Sequence, residues 1–179
     1  MLIRPAQADR DADACASIYA PSVTGGATSF EQEPPDGEEM GRRIARISER
    51  YPWLVAESEG TVIGYAYASP HSERAAYRWS VDAAVYIGEG HRGRGVGRAL
   101  YQALFERLAG QGLRTVCAGI TLPNQASVAL HESCGFQAIG VYRKIGFKAG
   151  QWRDVGWWQL DLAPGSDGPP SEPGPPSRH

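Results

Sequence analysis

Residues 85–98 read Val-Tyr-Ile-Gly-Glu-Gly-His-Arg-Gly-Arg-Gly-Val-Gly-Arg, a strand-like run that enters a glycine-rich turn. The turn leads into an amphipathic helix that we expect to begin near Val96. Gly93, Gly95 and Gly97 let the backbone approach a ligand without interference from Cβ atoms. The unpaired N–H groups and the positive dipole of the helix start then face that ligand. The stretch therefore predicts a phosphate cradle, and a cofactor with a pyrophosphate is the first hypothesis.

The spacing of the glycines excludes two other phosphate-binding loops. A P-loop needs a Lys-Ser/Thr pair after its last glycine, whereas this chain has Arg98-Ala99 there. A dinucleotide fold needs a different glycine spacing and an acidic residue after the next strand, and residues 121–123 contain no acid. The spacing that fits is Arg92-x-x-Gly95-x-Gly97. It resembles the acetyl-CoA pyrophosphate loop of the GNAT N-acetyltransferase superfamily, Gln/Arg-x-x-Gly-x-Gly/Ala.

A second motif follows about 30 residues later. Residues 124–136 read Asn-Gln-Ala-Ser-Val-Ala-Leu-His-Glu-Ser-Cys-Gly-Phe and are predicted to form a helix between two strands. They resemble the superfamily element Asn-x-x-Ala/Ser-x-x-Leu-Tyr/His-x-x-x-Gly-Phe/Tyr. Because two independent motifs occur in the right order and in the right structural context, the chain is identified as a member of this superfamily.

Hydrophobic periodicity predicts an α+β chain. Buried helical stripes are expected with i, i+4 spacing at Val96, Leu100, Leu104 and Leu108, and in a similar pattern at Met40, Ile44, Ile47 and Tyr51. The resemblance implies the GNAT fold, a three-layer arrangement in which helices flank a central, mixed, mostly antiparallel and splayed sheet. Predicted strands cover residues 2–4, 53–58, 61–69, 80–87, 114–120, 136–145 and 152–162, and predicted helices cover residues 9–19, 37–51, 96–111 and 124–134.

Composition limits the classes of partner. Eighteen basic and twenty acidic residues give a net charge of −2, so no overall field favours nucleic acid or an anionic membrane. The three cysteines lack metal-binding or disulfide spacing, and no metal site is expected. No stretch of 18 apolar residues or secretory leader is visible, which makes a cytoplasmic enzyme the expectation.

The C-terminal end differs in composition from the rest. Residues 164–179 hold six of the thirteen prolines and no large apolar side chain. Such a segment cannot bury enough surface to offset its ordering entropy. We therefore expect one GNAT domain over residues 1–163 and a disordered tail over residues 164–179.

Within the superfamily, four segments look like phosphinothricin and methionine sulfoximine acetyltransferases. They are residues 76–87, 119–124, 130–132 and 146–159, and the likeness extends over roughly residues 2–162. The resemblance implies transfer of acetyl from acetyl-CoA to the amino group of a small amino-acid-like acceptor. It also implies a homodimer.

The resemblance and the chemistry together suggest two catalytic side chains. Acetyl transfer needs a base, because the acceptor amine arrives mostly as ammonium, and Asp82 is the candidate, directly or through water. The subfamily usually has glutamate here, and the shorter side chain withdraws the carboxylate by about 1.5 Å. His131 stands where other members place a proton-donating tyrosine. It could serve as the acid or as a base, and we favour the acid role.

The remaining candidates bind the cosubstrate or the acceptor. Arg78 suits an amino-acid carboxylate because its guanidinium offers a planar fork of donors, and Phe30, Tyr77 and Trp79 could form the walls of that pocket. A main-chain N–H near the end of the strand at Ile87 would polarise the thioester carbonyl, as the resemblance implies. The residues expected to bind acetyl-CoA are Val85, Tyr86, Ile87, Arg92, Gly93, Arg94, Gly95, Val96, Gly97, Arg98 and Asn124.

Two alternatives stay open at this point. The acceptor could be a protein N-terminus or another amine, although such a substrate normally needs an open groove. The chain could also be a non-catalytic acyl-CoA-binding module, which only the exchange of glutamate for Asp82 favours. Because residues 22–31 and 71–78 carry no local pattern, the sequence does not identify the acceptor.

Overall fold

The computed structural model describes residues 1–166 and 168–176, and its elements follow the predicted order. Four helices are α1 (Ala8–Thr24), α2 (Gly37–Ser48), α3 (Val96–Gly110) and α4 (Gln125–Ser133). The strands are β1 (Leu2–Pro5), β2 (Trp53–Ser58), β3 (Thr61–Pro70), β4 (Ser80–Ile87), β5 (Thr115–Leu122), β6 (Gln137–Lys148) and β7 (Gln151–Asp161). A single 3₁₀ turn at Ala75–Tyr77 was not predicted.

All seven strands form one sheet in the order β1-β2-β3-β4-β5-β7-β6. The pairing of β4 with β5 is parallel, and each of the other pairings is antiparallel. β4 pairs with β5 only from Ser80 to Asp82, although β4 continues to Ile87. The two strands therefore separate beyond Asp82 and leave a wedge-shaped gap. The predicted fold, a mixed, mostly antiparallel and splayed sheet, is confirmed.

Helices cover both faces of the sheet. On one face, α3 contributes the predicted stripe of Val96, Leu100, Leu104 and Leu108, and all four side chains are buried against the strands. On the other face, α1 and α2 cover a second cluster with Met40, Ile44, Trp53 and Tyr65 at its centre. No helix in the described part of the chain is long and apolar enough to cross a membrane.

Some predicted element ends are wrong. α1 runs to Thr24 although Pro21 lies inside it, whereas the sequence predicted its end at residue 19. Tyr19 and Val23 are both buried, one turn apart, and this packing outweighs the backbone hydrogen bond that proline cannot make. β6 likewise continues past residue 145 to Lys148, with two register shifts against β7.

The described residues beyond 163 form no helix or strand, but they contact the domain. Gly174 exchanges hydrogen bonds with Gln111, and the Trp79 indole donates to the Ser171 carbonyl at 2.8 Å. The predicted disordered segment, residues 164–179, includes residues 167 and 177–179, which lie outside the described residues. Its disorder and its separation from the domain at residue 163 stay predictions.

Candidate active site

A cavity of about 690 Å³ lies where β4 separates from β5. The start of α3 and the loop before it form one wall. The exposed end of β4 and residues of α4 form others, and α1 contributes Ile18, Pro21 and Ser22 from the opposite face of the sheet. The cavity thus reaches helices of both outer layers through the gap between the strands. Its size falls within the range of small-molecule sites.

The loop before α3 meets the requirements of a phosphate cradle. Gly93 and Gly95 have φ values of +72° and +81°, which side chains rarely adopt, and a Cβ at either position would point into open space. Gly95 is the N-cap of α3 and has no side chain to cap the helix. The first N–H groups of α3, from Val96 to Arg98, cannot find partners inside the helix. They face the cavity together with the helix dipole and fit a pyrophosphate.

Gly97 has a different role from the other two glycines. Its φ is not in the left-handed region, and a Cβ there would approach Leu130 Cδ2 to 3.0 Å. A glycine at this position therefore lets α3 and α4 pack closely. Ten of the eleven residues predicted to bind the cosubstrate line the cavity, and Arg94 does not: the ten are Val85, Tyr86, Ile87, Arg92, Gly93, Gly95, Val96, Gly97, Arg98 and Asn124.

Asn124 caps α4. Its side-chain oxygen accepts a hydrogen bond from the Ser127 N–H at 3.1 Å. The same residue lines the cavity. Its amide nitrogen is thus available to a bound coenzyme A arm, a contact that stays a prediction.

Asp82 lies at the point where the sheet splits. It is the last β4 residue that pairs with β5, opposite Cys117, and its side chain shares a face of the sheet with Ala84 and Tyr86. Asp82 Oδ1 is 2.7 Å from His71 Nδ1, and both side chains are about one third exposed, at 34% and 31%. Burial raises the pKa of Asp82, and the hydrogen bond with His71 opposes that rise.

His71, Asp82 and Cys117 also form the group of possible metal ligands found among the described residues. Their nearest ligand atoms all lie within 4.8 Å of one another. However, His71 and Asp82 are in direct hydrogen-bond contact, which leaves no space for an ion between those two atoms. Burial raises the pKa of the Cys117 thiol to about 11, so the thiolate that a metal prefers is disfavoured. The arrangement suits proton transfer better than metal binding.

His131 is buried, with only 5% of its surface exposed. Its Nδ1 is 2.7 Å from the Ser127 carbonyl oxygen, and its Nε2 is 2.8 Å from the Tyr101 hydroxyl. Because a carbonyl can only accept, Nδ1 carries the proton and Nε2 accepts from Tyr101. Burial lowers the pKa of His131 and favours this neutral form. The ring packs against Tyr101 and Phe136. All three lie on the face of the sheet that α3 covers, opposite to the face of Asp82.

A second cavity, of about 310 Å³, lies between α2 and the sheet on the same face as Asp82. Ser69 reaches it from β3, directly opposite Asp82 in the strand register. Tyr67 also lines it, and burial raises the pKa of this phenol, which further senses the charges of Arg43, Glu31 and Asp82. The other lining residues are Tyr19, Glu39, Met40, Arg43, Arg46, Ile47, Trp53 and Tyr65.

Ion pairs fix one side of this second cavity. Arg43 binds both carboxylate oxygens of Glu31, at 2.7 and 3.0 Å, and also contacts Glu39 at 2.9 Å. Arg43 is the main reason that the pKa of Glu31 lies below its usual value. Arg46 lines the same cavity and forms no ion pair with another described residue. Its guanidinium is the cation left for a ligand.

Three of the predicted acceptor residues, Arg78, Trp79 and Phe30, make other contacts in the described structure. Arg78 pairs with Glu172 of the tail at 2.7 Å, and its guanidinium lies 4.7 Å from the centre of the Trp79 ring. Phe30 packs over Gly146 of β6. None of these three side chains lines either of the cavities described above.

The sequence prediction missed two features of the site. His71 had no motif around it, because its contact with Asp82 arises only from the pairing of β3 with β4. The cavity under α2 combines residues from three elements that are distant in the chain. The sequence held one usable signal for the His71 contact, an aspartate at position 82 where the resembling subfamily usually has glutamate. The shorter carboxylate leaves space for a neighbouring side chain.

Comparisons with known proteins agree with this geometry. A family model described as an acetyltransferase (GNAT) domain matches residues 5–157. The chain is 43% identical over 160 residues to a phosphinothricin N-acetyltransferase of Streptomyces viridochromogenes, covering 89% of this chain and 87% of that relative. It is 35% identical over 155 residues to an L-methionine sulfoximine/L-methionine sulfone acetyltransferase of Pseudomonas paraeruginosa, covering 86% of this chain and 90% of the relative.

A solved structure has the same fold and holds a ligand. It is a GNAT superfamily phosphinothricin acetyltransferase from Sinorhizobium meliloti in complex with acetyl-CoA. It superposes with a TM-score of 0.90 at 38% identity, covering 96% of this chain and 93% of that chain.

Proposed function

This chain belongs to the GNAT acetyltransferase family and is an N-acetyltransferase that uses acetyl-CoA, and we propose that its acceptor is a small amino acid of the phosphinothricin or methionine sulfoximine type. The observation that carries the proposal is the second cavity. It is small, at about 310 Å³, and it is lined by three tyrosines, by Arg46 and by Ser69, which is paired with Asp82 in the strand register. The names of two relatives support this class of acceptor.

The proposed roles of the site residues follow from the positions of the two cavities. The N–H groups from Val96 to Arg98 would hold the pyrophosphate, and the exposed backbone of β4 would hold the arm that leads to the gap. Acetyl-CoA supplies an acetyl group as a thioester. The acceptor ammonium must lose a proton before its nitrogen can attack, and the Asp82 carboxylate is the proposed base, directly or through water.

Asp82→Asn tests this role. The amide keeps the size of the side chain but cannot take a proton at neutral pH. We expect a rate at least tenfold lower and an acetyl-CoA affinity close to that of the wild type. An unchanged rate would remove Asp82 from the mechanism.

The acid role of His131 stays a prediction. In the described arrangement both ring nitrogens are engaged, and Nε2 accepts rather than donates. Protonation of a departing thiolate by His131 therefore requires that the ring gain a proton and release Tyr101. His131→Asn keeps a polar group near the position of Nδ1 and removes Nε2, and a kcat near that of the wild type would assign His131 to packing alone.

Two arginines compete for the acceptor carboxylate. Arg78 is the sequence prediction, and it faces the tail in the described structure. Arg46 lines the second cavity and is the alternative that the geometry favours. We expect the variant of the true partner, Arg78→Ala or Arg46→Ala, to raise the acceptor KM more than it lowers kcat. The other variant serves as the matched control.

The acceptor class is tested by a thiol-release assay with acetyl-CoA. The panel contains phosphinothricin, methionine sulfoximine, common amino acids, polyamines and peptides. We expect release with the first two and little with peptides, because a cavity of about 310 Å³ does not offer the groove that a polypeptide needs. Release only with peptides would support the alternative, a protein N-terminal acetyltransferase. Binding of acetyl-CoA without release for any acceptor would support a non-catalytic module.

We also propose a homodimer, as the resemblance implied. β6 is an edge strand of the sheet, and six large apolar side chains on β6 and β7 are more than 40% exposed. Exposed large apolar side chains grouped on neighbouring strands are typical of a surface that contacts another protein chain. Sedimentation equilibrium tests the proposal, with Ile145→Glu expected to shift a dimer to the monomer. The side chains of the patch are Ile139, Val141, Tyr142, Ile145, Phe147 and Trp152.

A further inference from the structure

We propose that His71 is the residue that takes the proton from the acceptor ammonium, and that Asp82 acts through His71 as a positioning residue. This inference rests on the proposed function and replaces direct proton transfer to Asp82 by transfer to His71, which Asp82 supports. It assigns a catalytic role to a histidine that no motif marked. It also accounts for an aspartate at a position where the resembling subfamily usually has glutamate.

The pairing of β3 with β4 sets the position of His71. The strand register ends with Pro70 opposite Val81, so His71 follows immediately and its N–H donates to the Ser80 carbonyl at 3.3 Å. Ser80 and Asp82 share a face of β4, and His71 therefore reaches Asp82 diagonally across the strand pair. The 2.7 Å contact between the two side chains is a direct consequence of this register.

Neighbouring rings hold the imidazole in place. The ring of Tyr77 lies 5.7 Å from that of His71, and the Trp157 ring meets it edge-on at 6.1 Å. Trp157 Nε1 is buried and makes no hydrogen bond with a described residue. The imidazole has a fixed orientation in a partly open site, as a proton acceptor requires.

The hydrogen bond with Asp82 determines the tautomer. A carboxylate can only accept, so Nδ1 carries the ring proton and Nε2 keeps its lone pair. Nε2 forms no hydrogen bond within the part of the chain that the structure describes. Asp82 Oδ1, by contrast, is already occupied by Nδ1–H. Within the imidazole, Nε2 is therefore the atom that can take a proton from the acceptor.

The proton balance of the step is simple. The acceptor ammonium gives one proton to Nε2 of His71, and its nitrogen becomes a neutral amine with a free electron pair. That pair forms the new C–N bond to the acetyl carbon, the C–S bond breaks, and its electrons leave with the sulfur. The nitrogen loses its second proton, and the departing thiolate gains one. Asp82 stabilises the imidazolium until His71 returns its proton to water.

Two substitutions at His71 distinguish a proton-accepting role from a role that only holds the Asp82 carboxylate in place. His71→Asn keeps an N–H donor near the position of Nδ1 and lacks the second nitrogen. His71→Ala leaves a space that free imidazole can enter from solvent, because the site is partly open. Glu73→Gln, an exposed change in the same loop, is the matched control and should retain the wild-type rate.

The experiment measures acetylated acceptor and kcat at saturating acetyl-CoA. We expect both His71 variants to lose about 100-fold in kcat, the lower end for general acid–base catalysis, with the acetyl-CoA KM within twofold of wild type. Added imidazole should raise the rate of His71→Ala in proportion to its concentration and leave wild type and Asp82→Asn unchanged. Thermal unfolding confirms that each variant is folded.

Each outcome decides the question. Wild-type kcat in His71→Asn would mean that His71 only holds the carboxylate and would overturn the proposal. A His71→Ala rate that does not respond to imidazole would also overturn it. If the wild type itself acetylates no acceptor of the panel, the proposed function fails. If the wild type is active, Asp82→Asn is inactive and the His71 variants are active, only this inference fails.

Discussion

Gly95→Ala tests the phosphate cradle with a single methyl group. Gly95 has φ +81° and ψ −2°, a left-handed conformation that costs alanine about 1–2 kcal/mol. The added Cβ meets no protein atom within 4 Å, so no steric cost adds to the backbone strain in the free enzyme. We therefore expect a loss of stability of about 1–2 kcal/mol and an intact fold.

The effect on binding should be larger than the effect on stability. The Cβ would lie in the space in front of the α3 N-terminus, where the proposed pyrophosphate approaches. Losing one charge-assisted hydrogen bond there costs about 1.5–3 kcal/mol, which is roughly 10- to 100-fold in Kd. Isothermal titration calorimetry with acetyl-CoA measures this change directly.

Gly90→Ala is the matched control. Gly90 also has φ +81°, and its added Cβ also meets nothing within 4 Å, but Gly90 does not line the cavity. The two variants should lose similar stability, and only Gly95→Ala should lose affinity. Equal acetyl-CoA affinities for both variants would refute the claim that this loop binds the cosubstrate.

Three further predictions concern the tail, a buried ion pair and the Tyr101–His131 contact. Removing residues 164–179 frees Arg78 from Glu172; if Arg78 binds the acceptor, steady-state kinetics should show an acceptor KM up to about fivefold lower, and a higher KM would contradict this. Burial raises the pKa of Asp11, but Arg4 and the Gln7 N–H outweigh burial and keep it below 3.8. The free energy of unfolding should therefore fall as the pH drops below about 4 toward the lower pKa of the folded state, less so in Asp11→Asn, as urea titrations at several pH values would measure. Tyr101→Phe leaves the buried His131 Nε2 without its donor and should cost about 1–3 kcal/mol in urea unfolding, and an unchanged midpoint would contradict the contact.

The cavity-lining loop and helix start of the proposed cosubstrate site could be predicted because their signals are local. Glycines with positive φ values directly precede the start of α3. The glycines and the helix start can both be recognised in a short window of sequence. The capping role of Asn124 is local in the same way, since its partner Ser127 is three residues away. The pattern did not separate Gly97, which serves helix packing against Leu130, from the two glycines that shape the loop.

The proposed acceptor side could not be predicted because its contacts are long-range. His71 meets Asp82 only through the register of two strands, and Arg46 reaches the second cavity only because α2 packs over β3. Arg78 has the chemistry expected of a carboxylate partner, but a residue 94 positions later pairs with it. The end of α1 was wrong for a similar reason, since the burial of Val23 outweighs the local preference of Pro21.

A crystal structure with coenzyme A and N-acetylphosphinothricin tests the account most directly. We predict the pyrophosphate within hydrogen-bond distance of the N–H groups from Val96 to Arg98. We predict the acetylated nitrogen in the gap between β4 and β5, within reach of His71 Nε2. A nucleotide bound away from the start of α3, or an acetylated nitrogen remote from both His71 and Asp82, would contradict it.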